Sequence, residues 1–426
     1  MSSPRLVIEG GRPLRGSVRV GGSKNAMLYA LPACLLTGEE CVLENVPEIE
    51  DARVMAAILE ALGAVVADAG GGVWRVSCDA IRRFDAPNEL VVNLRGSFLV
   101  MGPLLARFGE AACCSPGGDV IGARPLDVHL DGFSALGAKV SRRGERYLAE
   151  TPAGHKRLHG ARVFLDYPSV TGTVNLLFAA VLAEGETTLI NAAAEPEIVD
   201  VIAMLNAMGA KIGGAGGSVL RVEGVTELHG VRHRIPADRI ETGIFAMSAA
   251  ITRGDVLVEG APQDELDALL TKLREAGVLV ETNDGSIRIS GEGRQFRNVQ
   301  AQALPYPGLA TDHQPYLAAF LTQAQGVSVM YERVYDNRLL YIGELRKMGA
   351  DVIAAGQTAI IVGPTRLYGT LVQALDVRAG GALVVAALAA EGRTEITDTH
   401  HLDRAHEDLV GKLRSLGAVA LRQDEL

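Results

Sequence analysis

The sequence predicts an α/β fold: a two-domain inside-out α/β barrel built from six repeated βαβ-type modules of roughly 70 residues. Three observations carry this. A phrase ending Leu/Met-Gly-Ala recurs at Ala61-Leu62-Gly63-Ala64, Ala135-Leu136-Gly137-Ala138, Ala207-Met208-Gly209-Ala210, Lys347-Met348-Gly349-Ala350 and Ser415-Leu416-Gly417-Ala418, with a divergent copy at Glu275-Ala276-Gly277-Val278. A second phrase, an apolar run closed by glycine before a β-rich stretch, keeps the same period at Gly38, Gly109, Gly185, Gly254, Gly326 and Gly392. The runs before these second glycines, such as Val174-Asn175-Leu176-Leu177-Phe178-Ala179-Ala180-Val181-Leu182, are apolar nearly all round, which places helices inside and strands outside. Two independent markers on one spacing do not arise by chance in an Ala- and Gly-rich chain.

The elements follow in order. The β-rich run at 5–9 precedes Gly10-Gly11, and the first full module opens only after Gly21-Gly22-Ser23-Lys24-Asn25, so the leading strand completes the sheet of the C-terminal half. Residues 1–23 with 237–426 then form one discontinuous domain of three modules, and 24–236 the other, which carries a mobile Pro-Gly-Gly loop. Each Leu/Met-Gly-Ala phrase ends a helical pattern such as 54–62, with glycine as the C-terminal cap, and leads into a strand. A return crossing near Pro236-Ala237-Asp238-Arg239 makes a hinge and a cleft, where a ligand is expected.

Composition narrows the partners. Of 426 residues 48% are apolar and 22% charged, and the net charge is -10, against nucleic acid or an anionic membrane as partner. No apolar run approaches the ~20 residues of a membrane helix, and no signal peptide opens the chain. Five cysteines show no metal spacing or paired framework, which fits free thiols in the cytoplasm, and Cys113-Cys114 is expected in a buried strand.

The chemistry concentrates in Ser115-Pro116-Gly117-Gly118-Asp119-Val120-Ile121-Gly122-Ala123-Arg124-Pro125-Leu126-Asp127-Val128-His129, a loop that carries two acids, a guanidinium and an imidazole. Lys24 follows Gly-Gly-Ser and enters an Ala-rich helix, where an ammonium joins the amides of a helix N-terminus. Arg95, Arg338, Arg378 and Arg404 stand at further module junctions, read as cations at helix starts. An acidic protein with cations at its junctions is suited to a small polyanion in the cleft.

With Ser23-Lys24-Asn25, Arg95-Gly96-Ser97, the loop from Pro116 to His129, Pro196-Glu197-Ile198-Val199-Asp200, Asp238-Arg239-Ile240-Glu241-Thr242-Gly243, Thr311-Asp312-His313-Gln314 and Asp376-Val377-Arg378-Ala379, the chain resembles the enolpyruvyl transferases over nearly its whole length, and within them the nucleotide-sugar branch. The resemblance implies the inside-out two-domain fold and transfer of the enolpyruvyl group of phosphoenolpyruvate to the 3-hydroxyl of UDP-N-acetylglucosamine, with release of phosphate and without metal or other cofactor. It implies that Lys24, Arg124 and Arg404 hold the phosphate and Arg338 and Arg378 the carboxylate, with Asn25 also binding phosphoenolpyruvate. Asp312 becomes the base, Asp376 a supporting carboxylate and Asp119 the general acid, while Arg95, Arg124, Pro125, Leu126, Asp127, Val128, Tyr167, Ser169, Val170, Asp312 and Val334 contact the nucleotide sugar. Another nucleotide acceptor, or a silent paralogue that binds the nucleotide sugar without turnover, stays open.

Asp119 departs from the family's commonest pattern, a cysteine after Pro-Gly-Gly. The acid role then requires a carboxyl kept neutral in the closed complex, and the inhibitor fosfomycin, whose epoxide a thiolate opens, loses its nucleophile. Cys113 and Cys114 lie on the wrong side of the turn to replace it. Thr171-Gly172, Leu309-Ala310 and Ala405-His406 are further departures beside substrate positions.

Overall fold

Small sheets, each wrapped on one buried helix, make up residues 4–122 and 125–423, which the computed structural model describes. One module shows the grammar. Strands Arg162–Phe164 and Glu186–Ile190 run parallel, and parallel neighbours need a long crossover, here the helix Val170–Ala180 with nine of its residues buried. The amphipathic helix Pro196–Ala207 then leads to an antiparallel pair, Lys211–Gly213 and Val219–Glu223, that closes the four-stranded sheet.

The same order recurs around Gln314–Leu321, between Gln300–Ala303 and Gly326–Glu332, and around Val377–Ala389, between Leu371–Gln373 and Arg393–Thr397. Two sheets take a strand from far along the chain: Arg15–Arg19 pairs in parallel with Asp255–Glu259, and Arg232–Arg234 with Cys41–Glu44. The leading strand Arg5–Glu9 lies antiparallel between Arg393–Thr397 and Val419–Gln423. Among the described residues there are five four-stranded sheets and one of three, Glu110–Cys114, Arg146–Glu150 and Lys139–Arg143, whose fourth place holds only a bridge from Asp85 to Ala112. The expected six modules and two-domain α/β fold are therefore present.

The first glycine marker has one cause. Gly63, Gly137, Gly209, Gly277, Gly349 and Gly417 all have φ between +91° and +112°, the left-handed turn that ends each amphipathic helix. The second marker is less uniform. Gly109, Gly185, Gly326 and Gly392 are left-handed, but at Gly254 the left-handed residue is the preceding Arg253 (φ +54°), and glycine is required because a Cβ would lie 2.1 Å from the Leu14 carbonyl oxygen.

The described chain divides into two units, one of 4–21, 119–122 and 237–423, the other of 22–118 and 125–236. The short segment 119–122, expected in the second unit with its neighbours, groups with the first. Each unit has its own apolar core. In the first unit every residue of the helix Arg239–Ile251 is buried, and it packs with Gln314–Leu321 and Val377–Ala389. In the second the corresponding helices are Lys24–Ala33, Met101–Phe108 and Val170–Ala180.

Helices packed this closely need small residues at the crossing. Gly102 donates its amide to Asn175 Oδ1 at 2.7 Å, and a Cβ there would meet both Asn175 oxygens at 2.4 Å. Gly102→Ala is expected to cost about 1–3 kcal/mol through overpacking. Gly343→Ala, on an exposed helix position with nothing within 4 Å of the new Cβ, is expected to be neutral or stabilising by about 0.5–1 kcal/mol. Urea unfolding of the two variants checks the pair, and equal effects would contradict the packing assignment.

Candidate active site

The predicted site residues occur in both units, and each group is described within its own. In the second unit, Gly22 passes so close to Asn45 that a Cβ would lie 1.9 Å from its carbonyl oxygen. Ser23 caps the next helix through Oγ, which accepts from the Ala26 amide at 3.3 Å, and Lys24 and Asn25 form the helix's first turn, both half-buried. Lys24 Nζ lies 2.8 Å from Asp51 Oδ2, and the Asp51 side chain is only 1% exposed. Asp51, in the first turn of the helix Glu50–Leu62, escaped the sequence reading because one acid at a helix start is ordinary capping chemistry.

The Pro-Gly-Gly turn is packed on the segment 91–95. Gly117 donates to the Val91 carbonyl at 3.2 Å, and a Cβ on it would lie 1.6 Å from the Val92 oxygen. Gly118 turns with φ +104° against Arg95, whose Nη2 donates to the Pro125 carbonyl at 3.5 Å. Arg95 opens the short helix Arg95–Val100, as expected. Arg124 lies outside the described residues. Pro125 is exposed, Leu126 buried, and Asp127 and Val128 form the first turn of the helix Asp127–Ala135. Tyr167 is partly exposed, Ser169 caps the helix Val170–Ala180 by accepting from the Gly172 amide at 3.2 Å, and Val170 opens it.

The departure at Thr171-Gly172 is matched from the neighbouring helix. A Cβ at Gly172 would meet Val128 Cγ1 at 2.6 Å and Ser169 Oγ at 2.8 Å, so alanine has no room. Thr171 Oγ1 lies 3.4 Å from His129 Nε2. His129 Nδ1 faces the Asn175 amide nitrogen at 3.0 Å, which makes Nδ1 the acceptor and leaves the proton on Nε2 toward Thr171. Burial and then the Arg95 charge push the His129 pKa down to about 3, so this ring is neutral.

In the first unit Asp312 is the hub. Arg338 Nη2 donates to its Oδ1 at 2.7 Å, and Arg378 Nη2 stands 2.8 Å from its Oδ2. The two arginine side chains are 1% and 5% exposed, that of Asp312 24%. Burial opposes both guanidinium charges, but Asp312 leads the charges that offset it, and both stay above their ordinary value. Arg378 Nη1 reaches the Tyr316 hydroxyl at 3.4 Å. Asp376 caps the helix Val377–Ala389, accepting from the Arg378 and Ala379 amides at 2.8 and 3.0 Å. Buried Glu332 accepts from the Thr311 hydroxyl at 2.9 Å and from the Val334 amide at 2.8 Å, which holds the partly exposed Val334 beside the strand end.

A second pair stands in the same unit: Arg404 Nη1 donates to Asp119 Oδ1 at 2.7 Å, with the side chains 12% and 15% exposed. Arg404 corrects one expectation, since it ends the helix His400–Asp403 instead of opening one, a place where the carbonyl end of a helix favours a cation. Arg378 and Arg338 do stand at helix starts. Cys113 and Cys114 end the strand Glu110–Cys114, buried, with their thiol pKa pushed up by burial.

The arrangement offers two carboxylates held by guanidiniums and an ammonium at a helix N-terminus. Among the described residues no group of three or more His, Cys, Asp or Glu side chains suits a metal ion, and no helix is long and apolar enough to cross a membrane. Comparison with known proteins gives one answer. The sequence model of the EPSP synthase (3-phosphoshikimate 1-carboxyvinyltransferase) family matches residues 8–413. UDP-N-acetylglucosamine 1-carboxyvinyltransferase 1 of Caldanaerobacter subterraneus subsp. tengcongensis is 44% identical over 98% of this chain and 99% of its own. UDP-N-acetylglucosamine 1-carboxyvinyltransferase 2 of Carboxydothermus hydrogenoformans is 46% identical over 97% and 98%. Among solved structures, the enolpyruvyl transferase NikO from Streptomyces tendae superposes with a TM-score of 0.89 at 26% identity over 99% of each chain. An EPSP synthase from Acinetobacter baumannii, at 19% identity and a TM-score of 0.78 over 99% of this chain and 100% of its own, shares the fold.

The neutral histidines set a pH dependence. His129 and His313, whose Nε2 lies 3.0 Å from the Arg239 carbonyl, both have pKa values pushed to about 3, chiefly by burial. Below an unfolded value near 6.5 the unfolded chain binds protons that the folded rings refuse. Each ring therefore contributes stability that is full above that value and falls by about 1.4 kcal/mol per pH unit beneath it, until the folded pKa is reached. His129→Gln is expected to unfold in urea with a shallower loss between pH 6.5 and 4.5 than the parent protein. An unchanged slope would mean that His129 is protonated in the fold.

Proposed function

The chain belongs to the EPSP synthase family of enolpyruvyl transferases, and from that premise we propose that it transfers the enolpyruvyl group of phosphoenolpyruvate to the 3-hydroxyl of UDP-N-acetylglucosamine, releasing phosphate at the first committed step of peptidoglycan precursor synthesis. The likeness to two bacterial carboxyvinyltransferases over nearly the whole chain carries the reading. It is a transferase working in the cytoplasm on small substrates, and its five buried free thiols suit a reducing compartment.

The residue roles are our assignment. Lys24, Asn25, Arg124 and Arg404 hold the phosphate; Arg338 and Arg378 hold the carboxylate; Arg95, Arg124 to Val128, Tyr167, Ser169, Val170 and Val334 serve the nucleotide sugar. Asp119 gives its proton to C3 of phosphoenolpyruvate as Asp312 takes the proton of the attacking hydroxyl. The new C–O bond forms at C2, through an oxocarbenium-like state, to give a tetrahedral ketal. Loss of a proton from C3 and cleavage of the C2–O bond to phosphate then yield the enol ether. Asp376 supports by fixing the helix from which Arg378 projects.

Each reacting carboxylate starts on a guanidinium that the substrate also wants. Arg404 stands on Asp119 in the protein alone, so the neutral acid belongs to the complex: a phosphate dianion that engages Arg404 draws that guanidinium away and places negative charge beside Asp119, both of which favour protonation. Likewise a substrate carboxylate on Arg338 and Arg378 loosens their hold on Asp312 and makes it a stronger base.

Phosphate release from phosphoenolpyruvate is expected with UDP-N-acetylglucosamine and not with uridine monophosphate or shikimate 3-phosphate; release only with another acceptor moves the pathway, and release with none favours a binding paralogue. Asp119→Asn should lower kcat by roughly 10²–10⁴, and turnover at the parent rate would remove Asp119 from the acid role. Intact protein treated with fosfomycin and phosphoenolpyruvate should show no mass increase, whereas Asp119→Cys should gain a covalent adduct. An adduct on the parent protein would contradict the carboxylate argument.

A further inference from the structure

The segment that bears Asp119 is held in place by one residue outside every role assigned above. Asn337 donates its main-chain amide to the Ile121 carbonyl at 3.1 Å and its side-chain Nδ2 to the Val120 carbonyl at 3.2 Å. Gly122 lies against the preceding residue so closely that a Cβ would fall 1.8 Å from Asp336 Oδ1, and its φ is +133°. Within the segment Ile121 is buried, whereas Val120 is 74% exposed. The two carbonyls are neighbours along the chain, so a pair of bonds from one residue fixes both position and direction. That docked geometry is the one in which Asp119 meets Arg404 at 2.7 Å. Asn337 is also the residue before Arg338, whose guanidinium holds Asp312 at 2.7 Å.

We infer that Asn337 is a positioning residue, which docks the acid-bearing segment 119–122 against the turn that carries Arg338 and so sets the general acid relative to the Asp312 cluster within one unit. The inference rests on the proposed acid role of Asp119 for its effect on turnover, but the docking itself does not depend on that reading. An amide side chain suits the task because it is a neutral donor toward a carbonyl, whereas a carboxylate of the same shape would face that carbonyl with a second acceptor.

Two variants test it. Asn337→Ala removes the side-chain bond and is expected to lower kcat roughly fivefold, the factor one neutral hydrogen bond is worth, with KM for UDP-N-acetylglucosamine within about twofold of the parent. Asn337→Asp keeps the volume, turns the donor into an acceptor and should lose at least as much. The second readout needs no substrate: hydrogen–deuterium exchange of peptides spanning 115–122 should speed up in both variants while the rest of the first unit and the melting temperature stay unchanged. Unchanged exchange at 115–122 in both variants overturns the docking role. A lowered melting temperature with faster exchange throughout the first unit also overturns it, by making Asn337 a folding residue. Faster local exchange with unchanged kcat keeps the docking but refutes the acid assignment, which separates the two failures.

Discussion

A buried cation needs an anion, and much of this structure follows from that requirement. A guanidinium 1% exposed cannot stay charged in an apolar interior without a partner, and removing the partner of such a buried pair costs about 3–5 kcal/mol. The protein meets the demand with its own carboxylates: Asp312 for Arg338 and Arg378, Asp119 for Arg404, and Asp51 for Lys24. The donors are thereby held in place by anions of the protein itself. On the residue roles proposed above, a doubly charged substrate would exchange one set of ion pairs for another and would not have to create charge in a dry site.

The repeated module supplies the places for these groups. A parallel pair of strands forces a helix back through the interior, and the N-terminus of that buried helix presents amides that need acceptors. Asp238 caps Arg239–Ile251 and Asp376 caps Val377–Ala389 in the same manner, each accepting two main-chain amides, while the Ser23 and Ser169 hydroxyls each accept one in the second unit. The cap is satisfied from within the chain, and residues assigned above to substrate follow it directly. Lys24, Val170 and Arg378 all occupy the first or second position after such a cap.

The period of the modules was legible because each repeat must turn the chain in the left-handed region after its amphipathic helix, and glycine tolerates that turn. The buried helices were legible because burial on all sides leaves no polar face to write. What escaped was the pairing. Asp51 reads as a helix-start acid, Asn337 as one polar residue in a turn, and Glu332 as a strand-end charge; only folding shows that they hold Lys24, the 119–122 segment and Val334. Arg404 was misread for a related reason, since a helix of four residues is too short to show periodicity, and its end looked like a beginning.

In the acid role proposed for Asp119, a carboxyl differs from a thiol in more than its strength. A thiol is neutral at physiological pH and needs cations nearby to become reactive, whereas a carboxyl is already ionised and is drawn to the nearest cation. In the proposed mechanism the Asp119 carboxylate starts on Arg404, the arginine assigned to the substrate phosphate. On that proposal, a phosphate arriving at Arg404 would draw the guanidinium away from Asp119. The proposed acid would then act only with donor substrate bound. The neighbouring departures fit the same economy of local compensation. Gly172 makes room for Val128, and Thr171 supplies a partner to a histidine that burial keeps neutral.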